Sequence, residues 1–465
     1  MKVPVKKRMI IVKSLIINKT LSHWRCKMRM KRTSQMSIYE IFAKHEIAIE
    51  LGKISAWMDT HPEILDWVET DIQRKNLKAT GRSGMTIESI LRSGFLLRYW
   101  QWTYEDLAFH LMDSEVNYGF SRLPMGLYPK ASALQGVISL IRGETWERIN
   151  KLLVKSALDT KIESATAVRI DSTVTDSPIH APWDSSLLGD AVRVMDRMMK
   201  DARQRCPELI YTCHQRVVKK QVTAIRNGKG EETRLKHYKK LIKYTRLTVG
   251  VVKNLSLSHP EWLDWVAQAE HYIPLIERII DQAERRIVKG EKVPAEGKVV
   301  SLFEPHTDII VKDKRQVQYG HKINFSSGKQ GMILDAVIES GNPADSCRLL
   351  PMIRRLKETY GKLPNQVAAD AGYASLANID EAKELGIKAV GLPKKRGMTV
   401  EAMTGSEWIY KKLKRFRAGI EGNISMLKRV FGLDRCTWKG LEHFKAYVMS
   451  SVLAYNLQKF ARLSI

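Results

Sequence analysis

Acidic residues are what this 465-residue chain has least of: 50 Asp and Glu stand against 77 Lys and Arg, a formal net charge of +27. So positive a balance favours a polyanionic partner, because phosphates neutralised by Lys and Arg release their counterions. Nucleic acid is the first class it points to; a ribosome-associated or membrane-surface protein is the plainer alternative. Cysteine is scarce too. Cys26, Cys206, Cys213, Cys347 and Cys436 are odd in number and scattered, which excludes a disulfide framework and reads as free thiols in a reducing compartment. Cys206, Cys213 and His214 have no second ligand pair to complete a zinc site. No run of about 18 apolar residues exists, which excludes an apolar membrane-spanning helix. The most apolar late stretch, 446–457, is interrupted by Ser450, Ser451 and Asn456 and reads as a core helix. Internal repeats, low-complexity tracts and a signal-peptide pattern are also missing. With 44% hydrophobic and 27% charged residues, what is left is an ordinary core-forming chain whose length suggests about three units.

The positive charge is unevenly placed. Residues 1–35 hold eleven Lys or Arg and no acid, the first being Glu40. Two readings stand for this segment: a DNA-gripping arm, or translated upstream sequence with Met36 as the natural first residue. Residues 36–158 read as a helical unit. Thr103 is an N-cap for Tyr104, Leu107, Ala108 and Leu111 at helical spacing. Ser132 and Gln135 predict a capping box ahead of Val137, Ile138 and Ile141, and 87–100 is a further helix. DNA recognition by this unit and plain helix packing leave the same pattern.

At 167–173 the period changes to alternating β-branched residues, a strand. Helical periodicity returns over 187–298. Between Arg216 and Lys253 twelve Lys or Arg face only two acids. Leu235, Tyr238, Ile242 and Val249 keep one apolar stripe while Lys236, Lys239, Lys240 and Lys243 lie off it, an amphipathic helix whose basic face suits a phosphate backbone. Strands resume at 307–311, 319–325 and 332–339, the last two joined by the hairpin loop 326–330. A helix over 345–360, a strand over 366–370, a helix over 376–385, a strand over 387–392 and a helix over 407–431 follow. This order predicts an α/β fold with a ribonuclease H-like mixed sheet, a helical N-terminal domain and a helical insertion. The expected units are 1–35, a basic extension; 36–158, helical and DNA-binding; 159–186 with 299–465, the sheet domain; and 187–298, the basic insertion.

Three carboxylates stand out. Asp171 lies inside a strand, which is unfavourable unless something compensates. Asp370 ends the 366–370 strand, with Gly372 allowing a sharp exit. Glu421 lies on the 407–431 helix, whose stripe Ile409, Leu413, Phe416, Ile420, Ile424, Leu427 and Phe431 marks the buried side. At 100° per residue Arg417, Glu421 and Lys428 fall within about 40° of one another on the stripe's edge. Gly419 and Gly422 bracket Glu421 at a cost of about 1 kcal/mol each relative to Ala, which predicts a close neighbour. Taken singly, the Asp residues read as turn residues and Glu421 as an i, i+4 ion pair. Together they suit hard divalent cations, which prefer carboxylate oxygens, and two such ions suit phosphodiester chemistry.

These residues resemble a known family. Arg417-x3-Glu421-x6-Lys428 is similar to the Tyr-x2-Arg-x3-Glu-x6-Lys motif of DDE insertion-sequence transposases, with Lys414 in the Tyr position. Asp370-Ala-Gly-Tyr373 looks like their second-Asp motif. Asp171-Ser-Thr173 with the following 179–190 segment resembles their first, above all in the ISNCY group. Tyr319-Gly-His-Lys322 and Gly341-Asn-Pro-Ala-Asp345 also resemble runs of that family, and the likeness covers about residues 85–460. The resemblance implies a bacterial, cytoplasmic, nucleoid-associated transposase without a membrane anchor. Asp171, Asp370 and Glu421 would be catalytic and would hold two Mg²⁺ or Mn²⁺. Arg417 and Lys428 would bind DNA. The partners would be terminal inverted repeats, target DNA and further copies of the chain. Alternatives are a catalytically silent or co-opted DNA-binding protein, and a ribonuclease H-like nuclease without strand transfer.

Overall fold

The computed structural model of the chain describes residues 31–32, 45–75, 84–312 and 316–464. Apart from Lys31 and Arg32, which pair with Asp66 and Asp59, the basic segment 1–35 lies outside the described residues, as does Cys26. The four described cysteines are free. Among the described residues no helix is long and apolar enough to cross a membrane.

Among the described residues seven helices come first: α1 (Glu46–Thr60), α2 (Glu63–Gln73), α3 (Ile87–Tyr99), α4 (Tyr104–Asp113), α5 (Glu115–Ser121), α6 (Ala131–Ile138) and α7 (Gly143–Asp159). Thr103 caps α4 in a full capping box with Asp106. The expected box of Ser132 and Gln135 does not form: α6 starts two residues sooner than a Ser132 cap requires, with Lys130 at the N-cap and no side-chain cap bond. Strand β1 (Ala167–Asp176) follows, longer than its sequence pattern suggested. Four helices are inserted next: α8 (Asp184–Arg205), α9 (Gln215–Asn227), α10 (Glu231–Ser258) and α11 (Leu263–Ala283). On α10 Tyr238, Ile242 and Val249 are buried, while Lys236, Lys239, Lys240 and Lys243 are exposed.

The rest of the sheet comprises β2 (Asp308–Lys312), β3 (Gln316–Ser327), β4 (Ile333–Ile338), β5 (Gln366–Ala369) and β6 (Ala389–Gly391). Between and after these strands come α12 (Leu349–Tyr360), α13 (Leu376–Glu384), α14 (Val400–Thr404), α15 (Glu407–Val430) and α16 (Leu441–Leu463). The expected 345–360 helix is a short 3-10 turn, Asp345–Cys347, followed by α12. Strand order is β2-β3-β1-β5-β6, with β4 paired to β3. β1 runs antiparallel to β3 and parallel to β5, and β5 parallel to β6. The fold is therefore the mixed α/β sheet expected of a ribonuclease H-like domain, with a helical region ahead of it and a helical insertion after β1.

α15 packs on β1, β5 and β6, while α7, α12 and α16 pack against β4. The polar residues that interrupt α16 are all bonded. Ser451 accepts from Arg98 of α3 (2.9 Å). Asn456 accepts from the Ile333 N–H (2.8 Å) and donates to Asn150 of α7 (2.7 Å).

Candidate active site

Alternation along β1 places Arg169 and Asp171 on one face and Ile170 and Ser172 on the other. Arg169 tells which helix covers the first face. Its guanidinium donates to the Phe416 carbonyl (3.1 Å) and lies 4.8 Å from the Phe416 ring centroid, so Asp171 looks toward α15. A groove of about 570 Å³ lies there, lined by Asp171, Glu421, Lys428 and Asp434 among others.

Asp370 reaches the same place by register. The parallel pairing of β1 and β5 ends at Ile170 and Ala369, so Asp171 and Asp370 are the next residues on neighbouring strands, which run about 4.8 Å apart. β5 stops at Ala369 and a 3-10 turn, Ala371–Tyr373, begins. Gly372 is needed there for space rather than for a left-handed backbone: a Cβ would lie 2.7 Å from Asp345 Oδ2.

On α15, Arg417 Nη2 donates to Glu421 Oε1 (3.0 Å), and its Nη1 lies 3.4 Å from Asp370 Oδ1. One guanidinium thus spans the second Asp and the Glu, offsetting the repulsion of two nearby carboxylates. Both acids stay accessible, with side chains 51% and 61% exposed. Lys428, about two turns on from Glu421, pairs with Asp434 (3.1 Å). Of the two glycines flanking Glu421, Gly419 has the expected close neighbour: a Cβ would lie 1.9 Å from Arg169 Nη1. Gly422 has open space around it, so the crowding argument fails there.

Two further acids adjoin the groove. The Asp176 N–H donates to the Asp434 carbonyl (3.0 Å). Burial pushes the Asp176 carboxyl above its ordinary range, and nearby Asp434 adds to the rise. Asp176 Oδ1 is buried without a hydrogen-bond partner. Among the described residues no three His, Cys, Asp or Glu side chains stand close enough together, as they are oriented, to hold one ion. The structure thus places Asp171 and Asp370 side by side by register, Asp171 and Glu421 in one groove, and Asp370 and Glu421 on one arginine.

The 319–322 run is tied to its neighbours at every position. The Tyr319 carbonyl accepts from Ser177 N–H (2.8 Å). A Cβ on Gly320 would meet the Thr175 carbonyl oxygen at 1.9 Å. His321 meets His306 (2.8 Å), which in turn meets Glu304 (2.8 Å). Lys322 Nζ lies 2.6 Å from Asp345 Oδ1, so the 319–322 and 341–345 runs meet in space.

Residues 306–457 match the family model described as the transposase DDE domain. The chain carries a transposase DDE domain. Its matched stretch begins just before β2 and ends within α16, and so contains Asp370, Arg417, Glu421 and Lys428. Asp171 precedes it, yet β1 lies inside the same sheet between β3 and β5. No curated protein and no solved structure matches the chain. Sequence reasoning had not singled out Arg169, Asp176 or Asp434. For Arg169 a signal existed: a cation inside a β-branched strand needs compensation as much as Asp171 does.

Proposed function

We propose that the chain is the transposase of an insertion sequence, of the ISNCY kind, which cuts the element's DNA ends and joins the freed strands to target DNA. The observation that carries this reading is that Asp171 of β1 adjoins Asp370, the first residue after the parallel strand β5, beneath the helix that bears Glu421. The donors fit hard divalent cations in kind, since all three are carboxylates and Mg²⁺ and Mn²⁺ prefer oxygen. Asp171, Asp370 and Glu421 would hold two such ions, which supply activation of the attacking oxygen and stabilisation of the leaving one.

The chain's own residues do the remainder. Arg417 would leave the two carboxylates and grip a phosphate of the reacting strand, and Lys428, further along the same helix, would hold another. The exposed lysines of α10 extend the positive surface along the duplex. The helical residues ahead of β1 would serve end recognition, and the working form is an assembly of two or more copies on paired terminal repeats in the nucleoid.

The test uses the DNA that flanks the gene. Both flanks are labelled as short duplexes and incubated with the full chain, Mg²⁺ or Mn²⁺ and a plasmid target. Defined cleavage and joining are expected, and are expected to vanish for Asp171→Asn and Glu421→Gln while salt-sensitive binding persists. Lys428→Ala is expected to weaken end binding without unfolding the chain. Cutting without joining would turn the reading to a nuclease; binding by wild type without any cutting would turn it to a silent DNA-binding protein.

A further inference from the structure

The face of β1 turned away from Asp171 carries a connected polar set that the reading above does not use. Ser172, next to Asp171, donates from Oγ to Asp345 Oδ1 (3.1 Å). The same oxygen pairs with Lys322 Nζ at 2.6 Å. Lys322 is only 6% exposed and also donates to the Pro343 carbonyl (2.8 Å). The other oxygen of Asp345 faces Gly372, where an added Cβ would come within 2.7 Å. Asp345 therefore touches the neighbour of one candidate acid and rests on the turn that leads away from the other.

Two more contacts close this unit. Asn378 Nδ2 donates to the Ser346 carbonyl (2.8 Å) and the Tyr373 carbonyl (2.7 Å), binding the Asp345 segment to the Asp370 turn. Tyr373 in turn donates from its hydroxyl to Asn324 Oδ1 on β3 (2.7 Å). A largely buried ion pair is poor evidence of stability, because desolvation offsets most of the attraction, but it fixes geometry. Here the geometry it fixes is the offset between β1 and the turn after β5. Fold stability alone would not demand it, since Val367, Ala368 and Ala369 already anchor β5 in the core.

We propose that Asp345, held by Lys322, is a positioning residue that sets the spacing of Asp171 and Asp370. The inference rests on the reading of those two acids as the reacting site. Asp345 does not join them as a ligand, because its Oδ1 is committed to Lys322 and Ser172. Misplacement of a reacting group by about 1 Å costs on the order of a hundredfold, and partners that orient metal-binding carboxylates typically cost 10- to 100-fold in affinity or activity when removed.

The test compares full-length wild type with Asp345→Asn, Lys322→Met, Lys322→Arg and Ser172→Ala. Folding is checked by circular dichroism and Tm, and end-DNA affinity by titration. Mn²⁺ alone is then titrated into each protein and followed by electron paramagnetic resonance, and end cleavage is measured against DNA concentration. For Asp345→Asn we expect Mn²⁺ binding weakened by about tenfold or more, kcat lowered and KM for DNA unchanged. Lys322→Met should behave alike, with Lys322→Arg largely restored. Should Asp345→Asn fail to fold, Ser172→Ala carries the test, with several-fold weaker Mn²⁺ binding expected. A folded Asp345→Asn or Ser172→Ala protein with wild-type Mn²⁺ affinity and kcat overturns the positioning role, while leaving the reading of the site intact. If wild type itself neither binds Mn²⁺ nor cuts, the reading of the site falls and takes this inference with it.

Discussion

The chain has two helical regions, and they are built on opposite plans. Helices α1 to α7 share one hydrophobic core with the sheet. That core runs from Leu51 to Ala461 and includes Trp146 of α7 together with Ile333, Val367 and Phe431. The inserted helices α8 to α11 have a core of their own, confined to residues 187–302 and centred on residues such as Trp265. Charge follows the same division. In the first region cations turn inward: Arg92 is 1% exposed and bonds Glu88 and Asp59, both at 3.0 Å. In the insertion they turn outward. Arg246 and Lys253 have carboxylate partners in Glu284 and Glu277, but among the described residues Lys236, Lys239, Lys240 and Lys243 have none. One region is thus part of the body that carries the DDE domain; the other is a separately cored, positively charged appendage.

A matched pair of substitutions tests this most severely. Trp146 and Trp265 are 1% and 0% exposed, so truncation to Ala is expected to cost about 3–5 kcal/mol in either place. Trp146→Ala should lower the main unfolding transition and abolish end cleavage. Trp265→Ala should lower only a transition belonging to the insertion, with hydrogen exchange accelerating in 187–302 and not in the sheet. A single merged transition for Trp265→Ala in calorimetry would show that the two cores are coupled after all.

Arg92→Met is next in size. It strands Glu88, whose side chain is 3% exposed, and breaking a buried pair costs about 3–5 kcal/mol. Arg122, 2.8 Å from Glu88, should recover part of that, so the measured loss in denaturant titrations is expected toward the lower end. Smaller still in stability is the double change Lys239→Gln with Lys243→Gln, at two exposed positions where folding should shift by less than about 0.5 kcal/mol. DNA affinity should fall and the salt slope flatten by about two; an unchanged slope would remove the insertion from the DNA surface.

The smallest effect belongs to Asp176, where β1 meets the segment after α15. Its folded carboxyl titrates above its unfolded value. Between those two values the folded chain holds more protons than the unfolded one, so stability falls as pH rises through that window. Asp176→Asn should therefore raise Tm slightly at pH 7, with the gain fading as pH drops toward about 4. A gain that grows on acidification would contradict the assignment.

Local signals were legible wherever the physics is local. Thr103 announced its cap because Tyr104, Leu107, Ala108 and Leu111 follow it at helical spacing, and the β3–β4 hairpin followed from two alternating runs around a short Gly-containing loop. Ser132 misled because its spacing to Gln135 imitates a capping box, whereas the chain after Pro129 enters the helix two residues sooner. Gly419 and Gly422 looked alike in sequence, yet only Gly419 faces a packed partner, a distinction that depends on where Arg169 lies. Arg417 was readable as a partner of Glu421 four residues on, but not as a partner of Asp370.

By itself the sequence determined the excess of positive charge, the helical and strand periods, the order of elements and the family-like motifs. All of these are properties of composition or of residues within a few positions of one another. Only the tertiary structure decided that the first helices share the core of the sheet while the inserted ones do not. It alone made Asp171 and Asp370 neighbours and brought Lys322 and Ser172 to Asp345. Those outcomes depend on strand register and on contacts between separate segments, 173 residues apart for Ser172 and Asp345, and nothing local in the chain encodes which distant residue will stand opposite.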